Sequence, residues 1–359
     1  MRVMHLIDSL SAGGAERVAV NMVNTLSRAG IETWLCATRS EGPLKAFLEE
    51  REHYLYLNRR KKFDVKALRY LIRFVRQHHI TILHAHSSSF FTAVLVKIVT
   101  RSVKVVWHDH YGLSDQLQTR KSFSIKVFSL LFDAVFSVNH TLKTWAVKNL
   151  FVRPERISFL ANYANLGKTY QASWKPDRLR SHSILCLANL RPQKDHATLL
   201  QAFRMVKKHF ADAQLYLVGK DSQDAHSEML KKQVAEMNLP DVLFLGEQPD
   251  VTQFLELASV GVLSSASEGL PIALLEYGLA GLPVVCTNVG ECSQVLDGGK
   301  AGWLIQPGDP EALMMAIKEV FENPEKASLY AQRLNQQIQL HYSEDNARHQ
   351  LISQYTAIV

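Results

Sequence analysis

The chain has 359 residues, 47% of them hydrophobic and 21% charged, and a formal net charge of +7. Single hydrophobic cores stop growing near about 250–300 residues, so this length points to two domains, and the ordinary charged fraction excludes a disordered or fibrous chain. No stretch approaches 18 uninterrupted apolar residues, which leaves no candidate membrane-spanning helix.

The charge is unevenly placed. Up to Ile157 the chain carries 24 Lys and Arg against 12 Asp and Glu, and the remainder carries 17 against 22. A basic first half joined to a slightly acidic second half implies different partners for the two. Cys36, Cys186, Cys286 and Cys292 are scattered, with no C-x-x-C pair. They read as reduced, buried thiols of a cytosolic protein.

In chain order, a strand over Val3–Ile7 runs into Asp8-Ser-Leu-Ser-Ala-Gly13-Gly14-Ala-Glu16-Arg17. Ala15, Val18, Ala19, Met22, Val23 and Leu26 then recur at helical spacing. Gly13 and Gly14 let backbone N–H groups approach a ligand, although the loop is not the G-x-G-x-x-G dinucleotide fingerprint. Ile31–Thr38 follows as a strand. Arg59-Arg60-Lys61-Lys62 leads into a helix over Val65–His79, with Lys66, Arg69, Arg73 and Arg76 along one face. That face is either simply solvated or drawn to an anionic membrane, where each charge is worth about 1 kcal/mol. A nucleic-acid partner is not expected, because aromatic residues for base stacking are missing.

Strands over Ile80–Ala85 and Val103–Trp107 end in His84-Ala-His86 and His108-Asp109-His110. The carboxyl ends of parallel strands are where α/β sheets bind ligands, so these histidines point at a crevice. Their H-x-H spacing matches no structural zinc pattern, and no metal site is expected. Ser122–Phe132 reads as a helix, Ala134–Val138 as a strand, and the polar stretch from Asn165 to His182 as a linker.

A second alternation of strands and helices starts at Ser183–Ala188 and leads into Asn189-Leu-Arg191-Pro-Gln-Lys194. A lysine on a strand-to-helix loop suits a diphosphate, since its charge adds to that of the helix N-terminus. Leu215–Gly219 and Val242–Gly246 are further strands, the latter followed by Glu247. After a strand over Ser259–Ser264 comes Glu268-Gly269-Leu270-Pro271-Ile272-Ala273, and a helix over Ile272–Leu279 carries Glu276. Two carboxylates for sugar hydroxyls, beside a helix N-terminus for phosphate, suggest a nucleotide sugar. Helices over Glu311–Phe321, Pro324–Leu340 and Glu344–Ile358 complete the chain.

The E-x7-E segment from Glu268 to Glu276 resembles the signature of the retaining GT-B glycosyltransferases of family 4. G-G-A-E-R at Gly13, the loop holding Lys194 and F-L-G at Gly246 resemble other motifs of that family, in the same order. The resemblance implies an α/β fold of two Rossmann-like domains with parallel sheets facing a central cleft. Residues 1–165 would bind the acceptor, with 342–359 packing back on them; 166–182 would link them to a nucleotide-sugar domain over 183–341.

It also implies roles. Gly13 and Gly14 would approach the donor diphosphate, Lys194 would grip it, and Gly246 and Glu247 would border the base. Glu268 would hold the hexose, Glu276 the ribose, and the backbone from Gly269 to Ala273 the departing charge. His110, or His108 beside it, would contact the transferred sugar. Where the family has an arginine this chain has Asn189, with Arg191 two residues on as a substitute. No D-x-D occurs, and a metal-independent enzyme using a UDP- or GDP-sugar is expected. The acceptor would be a glycan or lipid-linked sugar of bacterial lipopolysaccharide, capsule or exopolysaccharide assembly. The enzyme would be cytoplasmic, touching the inner face of the membrane through Arg59, Arg60, Lys61 and Lys62. A sugar-nucleotide epimerase and a non-catalytic partner subunit are the alternatives.

Overall fold

The computed structural model describes residues 1–61, 63–166, 182–248 and 250–359. The chain divides into two compact units, one of Met1–Tyr163 with Glu344–Val359, the other of Ala164–Ser343. The expected linker lies almost wholly outside the described residues.

Unit 1 opens with β1 (Arg2–Ile7), α1 (Gly14–Arg28), β2 (Glu32–Ala37) and β3 (Tyr54–Tyr56). Next come α2 (Val65–Gln77), β4 (Ile82–His86), α3 (Phe90–Thr100) and β5 (Lys104–Asp109). It continues through α4 (Phe123–Phe128), β6 (Ala134–Ser137), α5 (His140–Asn149) and β7 (Ile157–Phe159). The strands make one parallel sheet in the order β3-β2-β1-β4-β5-β6-β7. Helices cover both faces of such a sheet, so its strands are apolar on both sides, and β4 is buried at every position. The helix read over Ser122–Phe132 is α-helical only to Phe128 and tightens into a 3-10 turn through Leu131.

On α2, Asp64 caps the first turn by accepting from the Ala67 N–H at 3.1 Å. Ala67, Leu71 and Val75 are buried while Lys66, Arg69, Arg73 and Arg76 face solvent. The basic cluster ahead of it departs from the expectation. Arg59 turns inward, only 6% exposed, beside Asp8 at 3.4 Å. A buried guanidinium needs a counter-charge, and Asp8 supplies one. Arg60 and Lys61 are exposed, and Lys62 lies outside the described residues.

Unit 2 contains β8 (Ser183–Leu187), α6 (His196–His209), β9 (Gln214–Val218), α7 (Ala225–Glu236) and β10 (Val242–Gly246). Then follow α8 (Thr252–Leu257), β11 (Val260–Leu263), α9 (Ile272–Leu279), β12 (Val284–Thr287) and α10 (Cys292–Val295). The unit ends with β13 (Trp303–Ile305), α11 (Pro310–Glu322) and α12 (Pro324–His341). Its parallel sheet has the order β10-β9-β8-β11-β12-β13. In each unit the first and fourth strands are neighbours with the chain winding outward on either side. That is the topological switch point, where open α/β sheets take ligands beyond the strand ends.

The final helix, α13 (Glu344–Ile358), belongs to unit 1. Thr25 Oγ1 donates to Glu344 at 2.8 Å, and the Tyr355 hydroxyl meets the His84 ring inside the core. Among the described residues no helix is long and apolar enough to cross a membrane.

Candidate active site

The loops after β8 and β11 meet at the switch point of unit 2. After β8, Pro192–Lys194 forms one 3-10 turn. Asp195 then takes a left-handed φ of 46° and caps α6, accepting from the Thr198 N–H at 3.2 Å. The loop after β11 is stitched to this turn. Ser264 Oγ donates to the Lys194 and Asp195 carbonyls at 3.0 and 3.1 Å, and the Ala266 N–H donates to Gln193 O at 2.9 Å. The consequence is an ion pair, with Lys194 Nζ 2.6 Å from Glu268 Oε1. Ser265 Oγ donates to the same oxygen at 2.6 Å. Glu268 is 5% exposed, and a carboxylate so deep is stable only with partners of this kind.

A bare backbone holds the loop from behind. Gly290 has φ +54°, and a Cβ there would lie 2.4 Å from Glu268 O. The next N–H, that of Glu291, donates to Gly269 O at 2.9 Å. Gly269, Leu270, Pro271 and Ile272 are buried and Ala273 partly so, leading into α9, whose N-terminus at Pro271 has no side-chain cap. Glu276 sits on α9 and is buried as deeply as Glu268. The Tyr277 hydroxyl pins this helix to the sheet, accepting from Leu187 N–H at 2.8 Å and donating to Leu185 O at 3.1 Å.

Two other sequence candidates have defined positions. Asn189 Oδ1 accepts from the Lys220 N–H at 2.8 Å, so it braces the neighbouring strand end. Arg191 is exposed, with no ion-pair partner among the described residues. Gly246 ends β10 at φ +67° and takes the Gly219 N–H on its carbonyl at 2.9 Å, with Glu247 next to it.

In unit 1, Gly13 and Gly14 do open α1, but the space at Gly13 is filled from within. A Cβ there would fall 2.3 Å from the Glu16 carboxylate, which also accepts from Ser9 Oγ at 3.0 Å. The glycine makes room for its own glutamate.

The histidines form a buried column that sequence reading found only in part. Adjacent strands set His5 beside His84 and His86 beside His108 in register, and the two-residue period of a strand puts His84 and His86 on one face. His5 Nδ1 lies 2.9 Å from His86 Nε2, His84 Nε2 3.2 Å from His108 Nδ1, and His86 Nδ1 3.0 Å from His110 Nε2. Burial pushes His5 down to about 3. Burial, with neighbouring rings, holds His84, His86 and His108 well below the usual imidazole range.

Two triads, His5-His84-His86 and His86-His108-His110, bring nitrogens close enough for a metal. The rings of the second triad are inclined to one another by 26° to 34°, whereas in the first His84 stacks on His86 at 4.6 Å and 9°, and on His5 at 4.6 Å and 21°. Parallel rings aim their lone pairs side by side, whereas a tetrahedral ion needs them to converge. His108, the other sequence candidate here, lies wholly in the core, because β5 extends to Asp109. His110, just past the strand end, lines a cavity of about 560 Å³ with Tyr111, Trp107 and Arg120. Arg120 anchors this rim through Asp109, with two hydrogen bonds of 2.7 and 2.8 Å, and lies over the rings of Trp145 and Tyr111. Burial raises the Asp109 pKa, against the pull of Arg120.

Comparison with known proteins bears on both units. A model described as "Glycosyltransferase Family 4" matches residues 12–167, and one described as "Glycosyl transferases group 1" matches 175–337. The UDP-Gal:alpha-D-GlcNAc-diphosphoundecaprenol alpha-1,3-galactosyltransferase of Escherichia coli is 25% identical, across 86% of this chain and 85% of its own. An uncharacterized glycosyltransferase of Haemophilus influenzae is 24% identical over 97% of both chains. Among solved structures, Anabaena HepE in complex with UDP and glucose superposes with a TM-score of 0.82 at 18% identity, covering 99% of this chain and 100% of that one. TarM superposes with a TM-score of 0.79 at 12% identity, over 99% and 98%.

Proposed function

The chain belongs to glycosyltransferase family 4, with the GT-B fold, and from that premise we propose that it moves a hexose, with retention of configuration, from a UDP- or GDP-sugar to a glycan or lipid-linked acceptor. The observation that carries this reading is the Lys194–Glu268 pair, buried at the switch point of unit 2 under the start of α9. Lys194 and the N–H groups of Leu270, Ile272 and Ala273 take the charge that grows on the leaving diphosphate, as preorganised donors do in a site shielded from water. Glu268 holds hydroxyls of the hexose and Glu276 those of the ribose. His110 faces the transferred sugar. The bond from the anomeric carbon to the diphosphate breaks, the acceptor hydroxyl adds from the same face, and its proton leaves with the diphosphate. No metal is needed where Lys194 and the helix end supply the positive charge.

The relatives support the finer points. The Escherichia coli enzyme is named for a UDP-sugar donor and a diphosphoundecaprenol-linked acceptor, and a neighbour of the same fold binds UDP and glucose. Assembly of a bacterial surface glycan at the inner face of the membrane fits them, with the exposed basic face of α2 toward the lipid. One observation favours a non-catalytic partner instead: Asn189 is tied to Lys220 and leaves no charge at the family's arginine position.

Calorimetric titration of UDP, GDP and ADP into the protein and its Glu276→Ala variant separates the two. Tight binding of one nucleotide, weakened by about 1–3 kcal/mol in the variant, supports the donor site. No binding of any of the three would leave the non-catalytic reading.

A further inference from the structure

Unit 1 carries a second cavity, of about 610 Å³, whose lining is divided by chemistry. One part gathers round Asp8: Arg59 at 3.4 Å, Arg39 at 3.5 Å and Ser88 Oγ donating at 2.7 Å, with Lys121 also on the wall. The other part is aromatic. Phe90 and Phe91 from α3 meet Phe128 from α4, with ring centroids 6.1 and 5.4 Å apart.

The apolar character continues on the surface outside. Phe63, 67% exposed, lies edge-on to Phe91 at 5.2 Å. Phe123, Val127 and Leu130 follow one another at helical spacing on and just beyond α4, at 82%, 45% and 65% exposure. So much apolar area beside a cationic pocket is a mark of an interaction site. The cavity of His110 adjoins this one, since both are lined by Ser88, Phe90, Lys121 and Ile125.

Charge selects the ligand. Three cations, Arg39, Arg59 and Lys121, stand against the single carboxylate of Asp8, leaving two positive charges. A phosphodiester, as in a glycerophospholipid headgroup, neutralises one of them. A diphosphate diester carries two negative charges, and the flexible, planar-unsaturated chain of an isoprenoid suits a wall of phenylalanine rings. We infer that this cavity binds the diphosphate and the first isoprene units of a polyprenyl-diphosphate-linked sugar, placing the sugar in the adjoining cavity beside His110. The inference rests on the transferase reading, for which it supplies the acceptor.

The test is binding of farnesyl diphosphate, below its micellar concentration, to the full chain, followed by tryptophan fluorescence because Trp107 borders the adjoining cavity. Farnesyl diphosphate is expected to bind at least about tenfold more tightly than inorganic pyrophosphate, farnesol or dihexanoyl phosphatidylglycerol. The Arg39→Gln/Lys121→Gln double variant, changed only at exposed side chains, should lose at least about tenfold while keeping its melting temperature. Excess UDP should leave the farnesyl diphosphate signal in place.

Equal binding of farnesol or the phospholipid, an unaltered affinity in the double variant, or displacement by UDP each overturn the inference. Nucleotide binding in the same preparation keeps the two readings apart. UDP or GDP bound without farnesyl diphosphate removes this acceptor and spares the transferase; the reverse result removes the donor site instead.

Discussion

Lys194 and Glu268, 74 positions apart in the chain, share an ion pair 2.6 Å long in which Ser265 also takes part. Each group holds the other in place, so the side chains proposed to grip the diphosphate and the hexose are preset. Lys194→Ala and Glu268→Ala should each lower turnover at least about 100-fold. Either change strands a charge, and breaking a buried pair is itself destabilising by about 3–5 kcal/mol. The Lys194→Met/Glu268→Gln double variant should therefore recover much of the melting temperature and none of the activity. Full turnover in any of these variants would dismiss the site.

Gly290 supports the same loop without touching a ligand. Its φ is +54° and a Cβ would press on Glu268 O. A left-handed residue with a side chain costs on the order of 1–3 kcal/mol. Gly290→Ala should lower the melting point and weaken nucleotide binding together. A variant that melts lower yet binds the nucleotide unchanged would show that the loop keeps its shape without this support.

Acid should destabilise unit 1 through the histidine column. An unfolded histidine takes up its proton near pH 6.5, whereas buried His5 does so only near 3, and His84, His86 and His108 are also held far down. Between those limits the unfolded chain binds more protons, so stability falls as pH falls, and above the upper limit these groups have no effect. Each histidine contributes up to about 1.4 kcal/mol per pH unit in that window. Melting temperatures recorded from pH 7.5 to 5 should drop below the upper limit, and His5→Phe should shallow the slope. A flat profile in the parent protein contradicts a neutral, buried column.

Arg120 fastens the loop after β5 to Asp109, with both side chains almost fully covered. Arg120→Ala should cost about 3–5 kcal/mol by leaving a buried carboxylate alone. Adding Asp109→Asn should return part of that loss. If the single variant melts like the parent, the strap is not what orders the loop.

Much of this was legible because it is local. Strand-to-helix loops announce themselves by apolar runs and turn residues, so the loops of Lys194 and Glu268 could be placed from the chain alone. Their pairing could not, since it depends on β8 and β11 becoming neighbours across the switch point. The same limit hid His5, whose partners come from β4, and Arg59, whose position in a basic run suggested solvent while Asp8 drew it inward. His108 looked equivalent to His110 until one further turn of pleating in β5 took it into the core. The Glu16 carboxylate beside the missing Cβ of Gly13 is likewise a contact that no local pattern announces.

The membership of α13 in unit 1 has a consequence for synthesis. Ala347, Leu351, Tyr355 and Ile358 are buried there, so the first half of the nascent chain leaves the ribosome with part of its core uncovered. The 180 residues of unit 2 must be translated before the missing helix arrives, which at about 5–20 residues per second takes on the order of 10–40 s. The unit begun first is thus completed only after the second, and a chain broken just before Glu344 carries a finished second unit joined to an open first one.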